Sequence, residues 1–146
     1  MKLITPKIAI LHCSATPDFR DTDPNLDRFT ATEIEVWHVK QGWDKIGYHF
    51  VVTRGGLIQP GRWCGSDRAE KGAHCLGWNG SSIGVCYIGT KIPTENQIKS
   101  LRTLYEQINK VTGFTIENWY THNHFNSKKS CPGFGMEKMQ EILKGV

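Results

Sequence analysis

Apolar runs and alternating stretches along the chain predict β-strands separated by helices. Short apolar runs bounded by turn residues indicate buried strands at residues 7–13 and 82–89. Residues 48–54 and 57–62 have strand patterns and are joined through Gly55 and Gly56, which is typical of a β-hairpin. These strands predict a sheet that contains both parallel and antiparallel pairs.

Helices are indicated where apolar residues recur every three or four positions. Thr32 and Glu35 have the spacing of a capping box and predict a helix that ends near Gly42. Thr94 and Gln97 have the same spacing and begin a long amphipathic stretch. The apolar stripe of this second helix predicts that it packs on the sheet.

The remaining segments complete the predicted architecture. Residues 17–30 are polar and predict a surface loop, and the glycine-rich residues 63–81 predict a long binding loop. Residues 116–122 have a strand pattern that ends in a histidine, and residues 134–143 predict a terminal helix. We therefore expect an α/β fold, a single domain over residues 1–146 with a central mixed β-sheet flanked by helices.

Composition is that of a folded domain rather than of a disordered or membrane-spanning chain. Hydrophobic residues make up 38% and charged residues 22% of the 146 positions. No apolar run approaches the roughly 20 residues that a transmembrane helix needs. The first apolar run is also too short and interrupted for a secretory signal, so we expect synthesis in the cytoplasm without a signal peptide.

The charge balance gives little indication of a polyanionic partner. The formal net charge is +4, and no arginine-rich block or basic stripe with interleaved aromatic residues is present. We expect no nucleic-acid partner, no membrane partner and a monomeric chain.

The five cysteines do not have the pattern of a disulfide framework or a zinc knuckle, since their number is odd and no CxxC pair occurs. Cys13 and Cys86 lie in apolar runs, where a thiol behaves as a small hydrophobic group. A disulfide bridge between Cys64 and Cys75 is left as an alternative.

Three residues have the right chemistry for a metal site. His12 and His122 each lie at the end of a predicted strand, and Cys131 follows nine positions after the second histidine. Catalytic zinc takes three such ligands and leaves a fourth position open. The donor atoms would converge if the two strands were neighbours. Alternatively, both histidines are hydrogen-bonded strand ends and the cysteine is a buried thiol.

Several segments together resemble the type 2 N-acetylmuramoyl-L-alanine amidases, zinc enzymes related to the peptidoglycan recognition proteins. They are LHCSAT at residues 11–16, WHVKQGWDKIGYHF at 37–50, KGAHCLGWN at 71–79 followed by the strand at 82–89, and THNHFNSKKSCPGF at 121–134. The resemblance implies the fold of that family. It also implies zinc-dependent hydrolysis of the amide bond between N-acetylmuramic acid and L-alanine of peptidoglycan, by a phage-type endolysin that reaches the cell wall after release.

The resemblance further implies roles for individual residues. It assigns Zn²⁺ to His12, His122 and Cys131. Lys129, in the family's K-x-C-P pattern, would stabilise the oxyanion, and Tyr48 would be the catalytic tyrosine. His74 and Asn79 would bind the substrate by lining the groove.

Other conspicuous side chains have alternative roles. His49 is expected on the opposite strand face from the tyrosine before it, as a buried structural histidine. Trp63, Trp78 and Trp119 either stack on sugars or belong to the core. Two competing functions stay open: a peptidoglycan-binding module of the same fold that does not cut, and a structural zinc site closed by His124 as fourth ligand.

Overall fold

A computed structural model describes residues 1–145, which form both strands and helices. The first half holds β1 (Leu3–Ile4), β2 (Ile8–Cys13), α1 (Ala31–Lys40), β3 (Phe50–Val52), β4 (Ile58–Pro60) and β5 (Ala69–Glu70). The second half holds β6 (Ser82–Tyr87), α2 (Glu95–Thr112), β7 (Trp119–Thr121), α3 (His122–Phe125) and α4 (Met136–Lys144).

The central sheet has five strands in the order β4-β3-β6-β2-β7. The pairs β3–β6, β6–β2 and β2–β7 are parallel, whereas the hairpin partner β4 runs antiparallel at one edge. A separate two-stranded sheet joins β1 to β5. The predicted α/β fold with a mixed central sheet is therefore confirmed.

Apolar side chains cover both faces of this sheet, because successive residues of a strand point to opposite sides. On one face, Ala9 and Leu11 of β2 pack in a cluster with Leu101 of α2 and Met139 of α4. On the other face, a smaller cluster includes Cys86 of β6 together with Ile34 of α1. Helix α1 leaves part of this second face uncovered, and the candidate site lies there.

Helix α1 begins two residues earlier than the sequence predicts. The capping box is formed by Thr30 and Glu33, not by Thr32 and Glu35. The Glu33 carboxylate accepts hydrogen bonds from the Thr30 backbone N–H at 2.8 Å and from its hydroxyl at 2.7 Å. Both pairs have the same spacing, so the pattern alone did not distinguish them. The predicted capping box of α2 is confirmed.

Two other predictions are wrong in part. Residues 116–122 are not one strand: Ile116–Asn118 form a 3₁₀ turn, and His122 is the first residue of α3. The long loop at 63–81 contains β5, which pairs with the unpredicted strand β1. Cys64 and Cys75 are free thiols, so the bridge between them does not form.

Within residues 1–145, none of the helices has the length and apolar composition that crossing a bilayer requires.

A buried arginine connects the hairpin to the start of α2. The guanidinium of Arg54, which is 2% exposed, lies 2.9–3.0 Å from the carbonyl oxygens of Ile88 and Ile92 and from the side-chain oxygen of Gln97. Its Nε also donates to the Phe19 carbonyl at 2.9 Å. One side chain therefore ties three separate segments to the turn that follows β3.

We expect Arg54→Met to lower the free energy of unfolding by about 3 kcal/mol, because buried carbonyl groups lose their donor. Denaturant unfolding would measure this change. As a matched control, Arg68→Met at an exposed position should change the free energy of unfolding by no more than about 0.5 kcal/mol. Equal effects of the two substitutions would contradict the role given to Arg54.

Candidate active site

The three residues proposed as metal ligands meet at one point of the fold. The ligand atoms of His12, His122 and Cys131 all lie within 4.8 Å of one another. Strands β2 and β7 are parallel neighbours in which Leu11 pairs with Thr121, so the histidine that follows each of them lies at the same edge. The structure thus brings the three residues together.

The spacing of these atoms fits a zinc ion. The Cys131 Sγ lies 3.7 Å from Nδ1 of His12. Zinc bonds of about 2.1 Å to nitrogen and 2.3 Å to sulfur, at a tetrahedral angle, would separate the two ligand atoms by about 3.6 Å. The donor set of two imidazoles and one thiol is also one that zinc prefers.

The turn that carries Cys131 is held from several sides. Its Sγ accepts a hydrogen bond from the Cys13 backbone N–H at 3.1 Å, and its carbonyl accepts one from Asn123 at 2.9 Å. The Tyr87 hydroxyl donates to the carbonyl of Pro132 at 2.6 Å. A hydrogen bond with the Cys13 side chain and burial raise the pKa of the Cys131 thiol. The neutral thiol is therefore the favoured form as long as no cation lies beside the sulfur.

His12 is almost completely buried and lies among other rings. Its Nε2 lies 2.8 Å from Nδ1 of His74, and Nε2 of His74 lies 3.2 Å from the Ser82 hydroxyl. Burial, followed by the charge of His74, lowers the pKa of His12. Burial likewise lowers the pKa of His74 to about 3. Both imidazoles are therefore neutral, which is the form that binds metals.

A cavity of about 740 Å³ opens beside the ligand cluster. Its lining includes three of the predicted catalytic and metal residues, both predicted substrate-binding residues, and several residues that the sequence did not single out. These are Tyr48, His122 and Lys129; His74 and Asn79; and Trp43, Ala73, Cys75, Leu76, Phe125 and Asn126. The sequence pattern did not identify the additional apolar residues as part of a site, because exposed apolar side chains are common on protein surfaces.

Charge and hydrogen-bonding capacity are unevenly distributed around this cavity. Burial and the positive charge of Lys129 lower the pKa of His122, and the lysine is therefore close enough to act on the ligand cluster. The ring of Tyr48 lies 5.1 Å from the ring of His12 between centroids. Burial raises the pKa of the Tyr48 phenol well above its usual value, so the hydroxyl keeps its proton.

Two further histidines lie outside the ligand cluster. His49 is buried, accepts a hydrogen bond from the Gly84 backbone N–H at 2.9 Å and donates to the Glu70 carbonyl at 2.6 Å. Its predicted structural role is therefore confirmed. His124 packs against the rings of Tyr120 and Phe125, with centroids 5.0 Å away in each case, and lies outside the cluster of candidate ligands.

The three tryptophans divide between core and surface. Trp119 is fully buried and donates to the Asn109 side chain at 2.8 Å, so it belongs to the core. Trp63 and Trp78 are 52% and 40% exposed. The ring of Trp78 lies 4.3 Å from that of Phe125, which lines the cavity, and it is therefore placed at the rim.

Asn79 organises the loop that forms one wall of the cavity. Its side-chain oxygen accepts hydrogen bonds from the backbone N–H groups of His74 at 2.8 Å and of Cys75 at 2.9 Å. Two donors that would otherwise point into the loop are satisfied by one side chain. The position of the His74 ring therefore depends on Asn79.

The geometry described so far is that of an α/β domain with a possible metal site beside an open cavity. Comparison of the sequence with known protein families shows which family has these features. Residues 3–134 match the family described as N-acetylmuramoyl-L-alanine amidase. The chain belongs to this family. The enzyme class that the sequence motifs predicted is confirmed, and the amide bond between muramic acid and L-alanine places its substrate in peptidoglycan.

Individual relatives agree with this assignment. The chain is 32% identical to an endolysin of Klebsiella phage KP32 over 140 residues, covering 90% of this chain and 83% of the relative. It is 33% identical to an endolysin of Escherichia phage T7, with the same coverage. The fold is similar to that of the amidase LysC from Clostridium intestinale, with a TM-score of 0.78, 24% identity, and coverage of 99% of this chain and 91% of that one.

We expect Asn79→Ala to lower the free energy of unfolding by about 2 kcal/mol, because it leaves two backbone N–H groups without their acceptor. Thermal or denaturant unfolding would measure the change. Asn79→Asp keeps an oxygen acceptor at the same place and should retain most of the stability. If the aspartate variant were as unstable as the alanine variant, these two hydrogen bonds would not be the reason for the loss.

Proposed function

We propose that the chain is a zinc-dependent N-acetylmuramoyl-L-alanine amidase of the phage endolysin type. Its zinc ligands are His12, His122 and Cys131. It hydrolyses the amide bond between N-acetylmuramic acid and L-alanine of peptidoglycan. A single chain supplies all three candidate ligands and the cavity lining, so the proposed site needs no second copy. We propose that residues 1–146 act as one amidase domain and as a monomer.

The observation that carries this proposal is the convergence of the three ligand atoms within 4.8 Å beside the cavity. His12 lies in β2, His122 is the first residue of α3 directly after β7, and Cys131 lies in a following turn, so the fold brings His12 to two residues that are far from it in sequence. A bound zinc ion would polarise the scissile carbonyl and lower the pKa of a water molecule towards neutrality. The other steps depend on side chains that the chain itself supplies.

Lys129 is proposed to stabilise the negative charge that develops on the carbonyl oxygen. Its side chain lines the cavity, and its positive charge lowers the pKa of His122. A fixed positive charge where an oxyanion forms lowers the energy of the transition state more than that of the substrate. The adjacent Lys128 does not line the cavity, which makes it a natural control.

Tyr48 is proposed to hold a proton at its hydroxyl and to donate a hydrogen bond towards the reacting oxygen. Its raised pKa keeps the phenol neutral over the working range of pH. Among the described residues, no aspartate or glutamate lines the cavity. We therefore assign to the Tyr48 hydroxyl the hydrogen bond that is donated towards the reacting oxygen.

The cavity itself is proposed to hold the muramyl peptide. Trp43, Leu76 and Phe125 supply apolar surface, whereas His74 and Asn79 form part of the wall next to the ligand cluster. Peptidoglycan lies in the bacterial cell wall. We therefore propose that a protein made in the cytoplasm acts on the wall after release, as a lytic enzyme does.

Purified protein should contain about one zinc per chain and should release stem peptides from purified sacculi. New amino groups should appear without new reducing sugar ends, because an amide bond and not a glycosidic bond is cleaved. Chelation should abolish release and added zinc should restore it. Mass spectrometry of the soluble products would measure the bond that is cut.

Two outcomes would contradict this function. Reducing ends without amino groups would indicate a glycosidase, and binding to sacculi without any release would indicate a module that does not cut. Cys131→Ser should lose zinc and activity together, whereas His124→Gln should keep both, because His124 lies outside the ligand cluster. Loss of zinc in the His124 variant would favour a site closed by four ligands.

We expect Tyr48→Phe and Lys129→Ala to keep zinc but to lower kcat by about 100-fold or more, because each removes an interaction that strengthens in the transition state. Steady-state kinetics on a soluble muramyl peptide, with metal analysis of the same samples, would test this.

Lys128→Ala and Tyr105→Phe are the matched controls, since neither side chain lines the cavity. Both should retain the wild-type kcat. A wild-type rate in Lys129→Ala would remove the lysine from the mechanism.

A further inference from the structure

A chain of hydrogen bonds runs from the candidate ligand His12 into the protein. It passes from His12 through His74 to Ser82 and ends at the backbone carbonyl of Trp78. The last contact, from the Ser82 hydroxyl to the Trp78 oxygen, is 2.7 Å long. Because a carbonyl oxygen only accepts, the single hydroxyl proton of Ser82 must be used there.

The hydrogen bond from Ser82 to Trp78 determines the direction of the other two hydrogen bonds in this series. With its proton committed, the Ser82 oxygen can only accept from Nε2 of His74, which therefore carries a hydrogen. A neutral imidazole has one N–H, so Nδ1 of His74 is an acceptor. Nε2 of His12, at 2.8 Å, must then be the donor.

We propose that His74 and Ser82 are positioning residues that fix the tautomer and the ring orientation of His12. His12 is thereby left with a bare Nδ1, and this is the atom that lies 3.7 Å from Cys131 Sγ. Metal-binding histidines generally donate their second N–H to a fixed acceptor, which raises their affinity for the metal. The inference rests on the proposed zinc site and adds two residues to it.

The backbone around His74 is shaped to admit its ring. A Cβ placed on Gly84, in the middle of β6, would lie 2.7–2.8 Å from three atoms of the His74 imidazole. A Cβ on Gly72 would lie 2.7 Å from the same ring. Glycine weakens the interior of a strand unless another group approaches closely, and here the approaching group is His74.

Burial makes this arrangement effective. His12 is 1% exposed and Ser82 is fully buried, so bulk water does not compete for their hydrogen bonds. Because both nitrogens of His74 are engaged by protein groups, its contribution to the cavity wall is the carbon edge of the ring. The same residue therefore serves the ligand cluster through its nitrogens and the cavity through its ring surface.

The wild-type protein tests the tautomers directly. Nitrogen NMR of the imidazole groups in the zinc-loaded protein distinguishes protonated, bare and metal-bound ring nitrogens. We expect metal-bound Nδ1 and protonated Nε2 for His12, with bare Nδ1 and protonated Nε2 for His74. Metal binding through Nε2 of His12, or a proton on Nδ1 of His74, would overturn the inference.

Substitutions test the consequence for affinity. His74→Phe keeps an aromatic ring but removes the acceptor, and should weaken zinc binding by about 10- to 100-fold in competition with a chelator. His74→Asn places an amide oxygen near the former Nδ1 and should recover most of that loss. His124→Gln is the control for removal of an exposed histidine, and its zinc affinity should equal that of wild type.

Zinc affinity in His74→Phe equal to that of wild type would overturn the inference while leaving the amidase proposal intact. An equal loss in the phenylalanine and asparagine variants would also overturn it, since the acceptor would then be irrelevant. If the phenylalanine variant does not fold, the nitrogen NMR of the wild-type protein still tests the inference, because it measures the tautomers of His12 and His74 directly. Wild-type protein that binds no zinc would refute both the proposed zinc site and this inference.

Discussion

The parallel pairing of β2 with both of its neighbours is the constraint on which the candidate site depends. Leu11 lies beside Thr121 in the register of β2 and β7, and this places His12 and His122 side by side where the two strands end. Parallel strands all finish at the same edge, and in open α/β sheets ligands bind beyond that edge. A slip of one residue in this register would turn His12 towards the opposite face of the sheet.

The interior side of the site is held by a fully satisfied polar network. Within residues 1–145, every buried side-chain nitrogen and oxygen has a hydrogen-bond partner. Such networks are rigid because each missing hydrogen bond would leave a costly unsatisfied group. The turn around Cys131 is held by Tyr87 and Asn123, and the ring of His12 is held by His74. Rigid ligands lose little conformational entropy when a cation binds.

The outer side of the site is different, because it must accept a substrate. The cavity is lined by apolar side chains together with polar ones that include Lys129 and Tyr48. Burial keeps the two inner imidazoles neutral and keeps the phenol of Tyr48 protonated, while Lys129 contributes positive charge at the rim. This division between neutral ligands inside and a cation outside suits a reaction in which negative charge develops on a carbonyl oxygen.

The sequence by itself determined the buried strands, the hairpin, the long helix and the ligand types, because these follow from local periodicity and turn chemistry. It also carried the family motifs. The start of α1 was ambiguous between two capping boxes of equal spacing, and the short pair β1–β5 had no local signal. Only the tertiary structure joined His12 to His74, which are 62 positions apart, because hydrogen bonds between distant segments are set by packing.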